Sequence, residues 1–186
     1  MTFKKRIYLF LVFILYISNT EAQVKNNMLD SLTTDLAKGK YNNIDGIILS
    51  QNGRVFYKKY LNNYHKDSLH DSRSAFKSIT SLLIGIAIDK GYIKSVQEKV
   101  YPFFNNYKPS MNWDERKNNM TLEHLLEMKS GYDCEEWNGS KDCESEMETS
   151  KDWVQFSLDL PVAKRPGEKW SYTSINTMIL SGVLSR

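Results

Sequence analysis

Apolar and polar positions follow several different periods along this chain, and each period predicts a different element. Ile7 to Ile17 is an unbroken apolar run behind Lys4, Lys5 and Arg6, and a short polar stretch follows it to Ala22. The run is about half of what a transmembrane helix needs, and a basic, then apolar, then small-residue order predicts a signal peptide over residues 1–22. Met28, Leu32 and Leu36 then recur every four residues, with Val24 and Leu29 alongside and Gly39 at the end. That is one apolar stripe of a helix with its stop. In IDGIILSQNGRVFYKKY, two β-rich runs flank Asn52-Gly53, which predicts a hairpin closed by a type I′ turn.

From Ser74 to Lys90 the period changes again. Phe76, Ile79, Leu82, Leu83, Ile84, Ile86 and Ile88 cover nearly every side of a helix that Gly91 ends. A helix apolar all round is expected to be buried. YPFFNNYKPSMNWDERKNN shows no period and reads as a long aromatic loop, in which Trp113 is expected to serve packing. TLEHLLEMKSGY predicts a short helix, with Thr121 as its N-cap, Gly131 as its stop, and Leu122, Leu125, Leu126 and Met128 turned inward. His124, set among those leucines, is expected to be structural. Residues 151–160 predict another short helix before Pro161, Pro166-Gly167 a turn, and Ile175 to Leu184 a last helix. There are no repeats and no interdomain linker. The only strands are those of one hairpin, which is marginal in water without partner strands. The pattern therefore predicts the front part of a larger domain, residues 23–186, after the leader.

Composition changes this picture little. The chain has 25 basic and 22 acidic residues. The leader holds three of the bases and Glu21, so the remainder is nearly neutral and offers no electrostatic case for nucleic acid or an anionic membrane. No cysteine follows the apolar run, so no lipid anchor is expected after cleavage, and the product is expected to be periplasmic or extracellular. Cys134 and Cys143, the only cysteines, are expected to form a disulfide in such a compartment. Their spacing is not that of a zinc site. The seven acids between Asp133 and Glu148 lack the pattern of a calcium loop and read as a solvated acidic loop. His65, His70 and His124 show no metal spacing, so neither metal nor cofactor is expected.

The candidate chemistry lies at the start of the apolar helix. Serine attacks only when a base removes its proton, and residues three apart on a helix share a face, so Lys77 can reach the Ser74 hydroxyl. The positive end of the helix dipole and the Ser74 backbone N–H would favour an oxyanion there. Burial would favour the neutral, basic amine of Lys77. Alone, S-x-x-K is a common accident. No G-x-S-x-G elbow is present to offer another nucleophile.

Three segments in order, SAFKSITSLLIGIAIDKGYI, TLEHLLEMKSGYD and RPGEKWSYTSINTMILSGVL, resemble the β-lactamase-related serine hydrolases. That group includes class C β-lactamases, D-alanyl-D-alanine carboxypeptidases and related esterases. The resemblance runs from about Asn43 onward. It implies an α+β fold, β-lactamase/transpeptidase-like, with an antiparallel sheet and a helical subdomain, here incomplete because the C-terminal strands are missing. It implies that Ser74 forms an acyl-enzyme, that Lys77 shares in its deprotonation, and that Tyr172 shuttles the proton. A phenol ordinarily keeps its proton at neutral pH, so a cation such as Lys77 is needed beside it. Ser174 stands where the family has Asn, as a shorter substrate-binding group with fewer hydrogen bonds. The family's Lys- or His-x-Gly strand, which brings the second oxyanion donor, does not occur up to Arg186. By this reading the chain as written is expected to be inactive, since one oxyanion donor is worth about 100- to 1000-fold in rate. The substrate is left open among lactam, D-amino peptide, ester and nylon-oligomer-like amide. The alternative is a non-catalytic penicillin-binding-like module that binds peptide or cell-wall fragments.

Overall fold

The computed structural model describes residues 27–108, 111–137 and 141–186; the expected signal peptide and Val24 lie outside them. The chain divides into two compact units, one ending at His70 and the other running from Asp71 to Arg186.

In the first unit, helix α1 covers residues 27–37. Leu36 is buried on the expected stripe, while Met28 at its start is exposed. Strands β1 (Gly46–Gln51) and β2 (Arg54–Tyr60) pair antiparallel, and the turn between them has Asn52 and Gly53 at φ 51° and 73°. Both central residues thus take the positive φ that a type I′ turn demands. The register shifts between Leu49, opposite Tyr57, and Ser50, opposite Val55, which makes a β-bulge at Phe56. The side chains of Thr33 and Tyr57 hydrogen-bond at 2.9 Å, tying α1 to the hairpin.

The second unit holds the hydrophobic core. Arg73–Ala75 is a 3-10 turn leading into α2 (Phe76–Asp89), so Ser74 precedes the α-helix proper. Further on come α3 (Leu122–Leu126), α4 (Cys143–Thr149), α5 (Trp153–Asp159) and α6 (Ser174–Leu184). Helix α6 is the centre: Ile175, Ile179, Leu180 and Val183 are buried, and it packs on α2, α3, α4 and α5. Gly182 permits that closeness, because a Cβ there would lie 2.9 Å from the Phe104 ring and 3.0 Å from Val154.

Several expectations need correction. Helix α2 is not buried all round: Thr80 and Ile84 face the core, while Phe76, Ile79, Leu82, Leu83 and Ile86 are exposed. Apolarity on every side states what a helix could bury, but only the side meeting α6 has a packed neighbour within this unit. The aromatic loop contains two 3-10 segments, Tyr101–Phe104 and Glu115–Asn119, and Trp113 packs edge-on against Tyr101. Helix α3 stops at Leu126, well before Gly131, because Met128 already takes a left-handed φ of 57°. Thr121 does cap it, and His124 closes a capping box by accepting the Thr121 backbone N–H. The acidic stretch is partly helical, with Asp142 as the N-cap of α4.

Segment 128–131 serves as a rail. The Gly131 carbonyl accepts from Ala163 and Lys164, the Lys129 carbonyl from Gly167, and the Met128 carbonyl from Ser171. Gly131 sits at φ 84°, and the Lys164 carbonyl oxygen occupies the space a side chain would need.

Candidate active site

Ser74, Lys77, Tyr172 and Ser174 meet, although almost a hundred residues separate the two pairs. The 3-10 turn and the first turn of α2 present Ser74 and Lys77. The rail fixes Ser171, the Glu136 backbone N–H donates to the Tyr172 carbonyl at 3.0 Å, and Thr173 caps α6. Tyr172 is thereby held from both sides.

The phenol of Tyr172 donates to Ser74 Oγ at 2.7 Å. Lys77 Nζ donates to Ser74 Oγ at 3.4 Å, a long contact, and to Ser174 Oγ at 3.0 Å. It also lies 5.1 Å from the centre of the Tyr172 ring, within reach of a cation–π attraction. Trp137 and Trp170 stand beside the phenol with ring centres 6.2 and 6.4 Å from that of Tyr172, and both are exposed. Ser74 is open to solvent and Lys77 half-buried. The α2 surface that carries Lys77 is largely open, so the burial expected around its amine is only partial.

Ser174 is buried, and its polar groups face inward. Its backbone N–H donates to both carboxylate oxygens of Glu136, at 2.8 and 2.9 Å, and Thr173 Oγ1 donates to the same carboxylate at 2.9 Å. The Ser174 hydroxyl lies 2.9 Å from Glu136 Oε2 and 2.9 Å from Glu144 Oε1. A carboxylate at the N-terminus of α6 satisfies N–H groups that the helix cannot pair itself. The contact of Glu136 and Glu144 with Ser174 was not legible, because an acid-rich run ordinarily reads as a solvated face. The adjoining cysteines were the available signal: Cys134 and Cys143 are bonded, with 6.2 Å between their Cα atoms, and both are buried. A cavity of about 200 Å³ next to this bond is lined by Gly131, Lys141, Lys164 and Ser171 among others, but not by Ser74, Lys77 or Tyr172.

Chemically, the arrangement gives an accessible hydroxyl, a phenol oxygen at proton-transfer distance and an amine behind both. These are the elements of nucleophilic catalysis with a shuttled proton.

No curated protein matches the sequence. Solved structures that resemble the chain include the following two. One is a candidate beta-lactamase from Bacteroides dorei, with 20% identity, a TM-score of 0.59, and coverage of 86% of this chain and 45% of that one. The other is a candidate 6-aminohexanoate-dimer hydrolase from Bacillus anthracis, with 16% identity, a TM-score of 0.56, and coverage of 75% and 39%. The chain thus spans under half the length of each. At these identities the likeness establishes the fold, an α+β β-lactamase-like arrangement with a two-stranded antiparallel sheet and several helices among the described residues. The family model for Beta-lactamase matches residues 42–186, and on that match the chain belongs to the beta-lactamase family.

Proposed function

We propose that this protein is an exported serine hydrolase that cleaves an amide or ester through an acyl-enzyme on Ser74. One observation carries the reading: the Tyr172 phenol oxygen lies 2.7 Å from the Ser74 hydroxyl, with Lys77 beside both. In the proposed step, Ser74 Oγ bonds to the substrate carbonyl carbon as its proton passes to Tyr172 Oη, and Tyr172 gives up its own phenol proton to the departing group. Collapse of the tetrahedral intermediate breaks the bond to the leaving amine or alkoxide, which takes the proton from Tyr172. Water then repeats the sequence to release the acid. The solved relatives are named for a lactam and for a 6-aminohexanoate dimer, and the bond in both names is an amide. An amide substrate is therefore favoured over an ester.

The test is covalent labelling of the full-length natural protein with a fluorophosphonate. Label on Ser74, abolished by Ser74→Ala and slowed by about 100-fold or more in Tyr172→Phe, is the expected outcome. Label that persists in Ser74→Ala removes Ser74 as nucleophile. No label on the intact protein would instead favour a non-catalytic module that binds peptide or cell-wall fragments.

A further inference from the structure

Resting on the acyl-transfer reading, we infer that Glu136 and Glu144 are positioning residues for Lys77, acting through Ser174, and that the Cys134–Cys143 disulfide sets them in place. The starting point is the hydrogen-bonding capacity of one hydroxyl. Ser174 Oγ has a single proton and two lone pairs. Lys77 Nζ donates to it at 3.0 Å, and two carboxylate oxygens lie 2.9 Å away on its other side. The hydroxyl proton can go to only one carboxylate at a time. A hydroxyl that donates to a carboxylate becomes a better acceptor, so the contact to Lys77 is strengthened. The amine is thereby anchored at a point from which it reaches Ser74.

The two carboxylates differ in what else they do. Glu136 accepts the Ser174 backbone N–H and the Thr173 hydroxyl, so it has a capping duty at α6 whatever becomes of Lys77. Among the described residues, the Glu144 carboxylate meets the Ser174 hydroxyl only. Glu144 lies in the first turn of α4, a seven-residue helix on an exposed edge. A helix that short does not hold itself together in water, so Glu144 needs an external anchor. The disulfide supplies it. Cys143 directly precedes Glu144, and Cys134 stands two residues before Glu136. The bonded sulfurs are buried, with Thr173 Oγ1 3.4 Å from Cys134 Sγ. One covalent bond thus brings both carboxylates to the same hydroxyl.

The test uses the intact protein with two readouts, the rate of fluorophosphonate labelling at Ser74 and the NMR resonance of Lys77 Nζ. Glu144→Ala is expected to slow labelling about tenfold, the worth of one hydrogen bond in the transition state, at an unchanged melting temperature. Glu144→Gln, whose carbonyl oxygen can accept the same hydroxyl, is expected to recover to within about threefold. The Lys77 Nζ resonance should move in Glu144→Ala and stay in Glu144→Gln. Replacing both cysteines by serine should slow labelling as Glu144→Ala does. Labelling of Glu144→Ala at the unaltered rate overturns the inference, whether or not the resonance moves. If the intact protein takes no label, the acyl-transfer reading fails by itself; an unmoved resonance in Glu144→Ala then overturns the tether, and a moved one upholds it.

Discussion

Lys117 is fully buried, inside a run, ERKN, that looks like solvated surface. Its amine donates to the Leu158 carbonyl at 2.8 Å and lies over the rings of Tyr101 and Tyr132. Burial pulls its pKa down to about 8, while Asp159 and Asp114 oppose that shift. The unfolded chain therefore holds this proton more tightly than the folded one, and raising the pH above 8 disfavours unfolding. Stability should rise by about 2 kcal/mol between pH 8 and about pH 10. Beyond that the sign reverses, since burial raises the pKa of Tyr101 and Tyr132. Urea midpoints across this window check the slope, which Lys117→Met should flatten. Nothing in the local sequence marked Lys117, since its burial comes from Tyr101, Tyr132 and Leu158, all distant in sequence. That Ser74, Lys77 and Tyr172 lie together could be expected, because three short segments occur in a recognisable order.

At the scale of elements, period reports which faces a helix could bury but not which ones meet a neighbour. α2 makes the point, because its sequence is apolar on every side while only Thr80 and Ile84 are buried. Ile84→Ala should cost about 2–5 kcal/mol, whereas Leu82→Gln, two residues earlier, should change stability by less than about 0.5 kcal/mol. Thermal or chemical denaturation of the two variants distinguishes them. The hairpin was legible for the opposite reason: Asn52-Gly53 encodes its turn locally, whatever packs around it. α4 was hidden because its acids suited a loop, and only Asp142 at the N-cap and the buried side marked by Cys143 and Met147 betray a helix.

On the scale of the whole molecule, apolar burial is unevenly divided. The core belongs to the unit from Asp71 onward, and Leu36 is the one buried residue among the described residues before it. A hairpin with so little buried beneath it should open far more readily than α6. Native-state hydrogen exchange should find β1 and β2 amides at least about 100-fold less protected than those of α6; equal protection would contradict this division. The rail at 128–131 works differently, because it sets distance by main chain alone. Three of its carbonyls meter the path toward Tyr172, and side chains on Met128, Lys129 and Ser130 take no part in those bonds. Of these, Lys129, paired with Glu127 at the surface, can change identity without lengthening the path; the Met128 sulfur accepts from Asn176 and Ser130 is buried. At Gly131 a single methyl group would push the returning strap outward, and the phenol would retreat from the serine although no residue that does chemistry had changed.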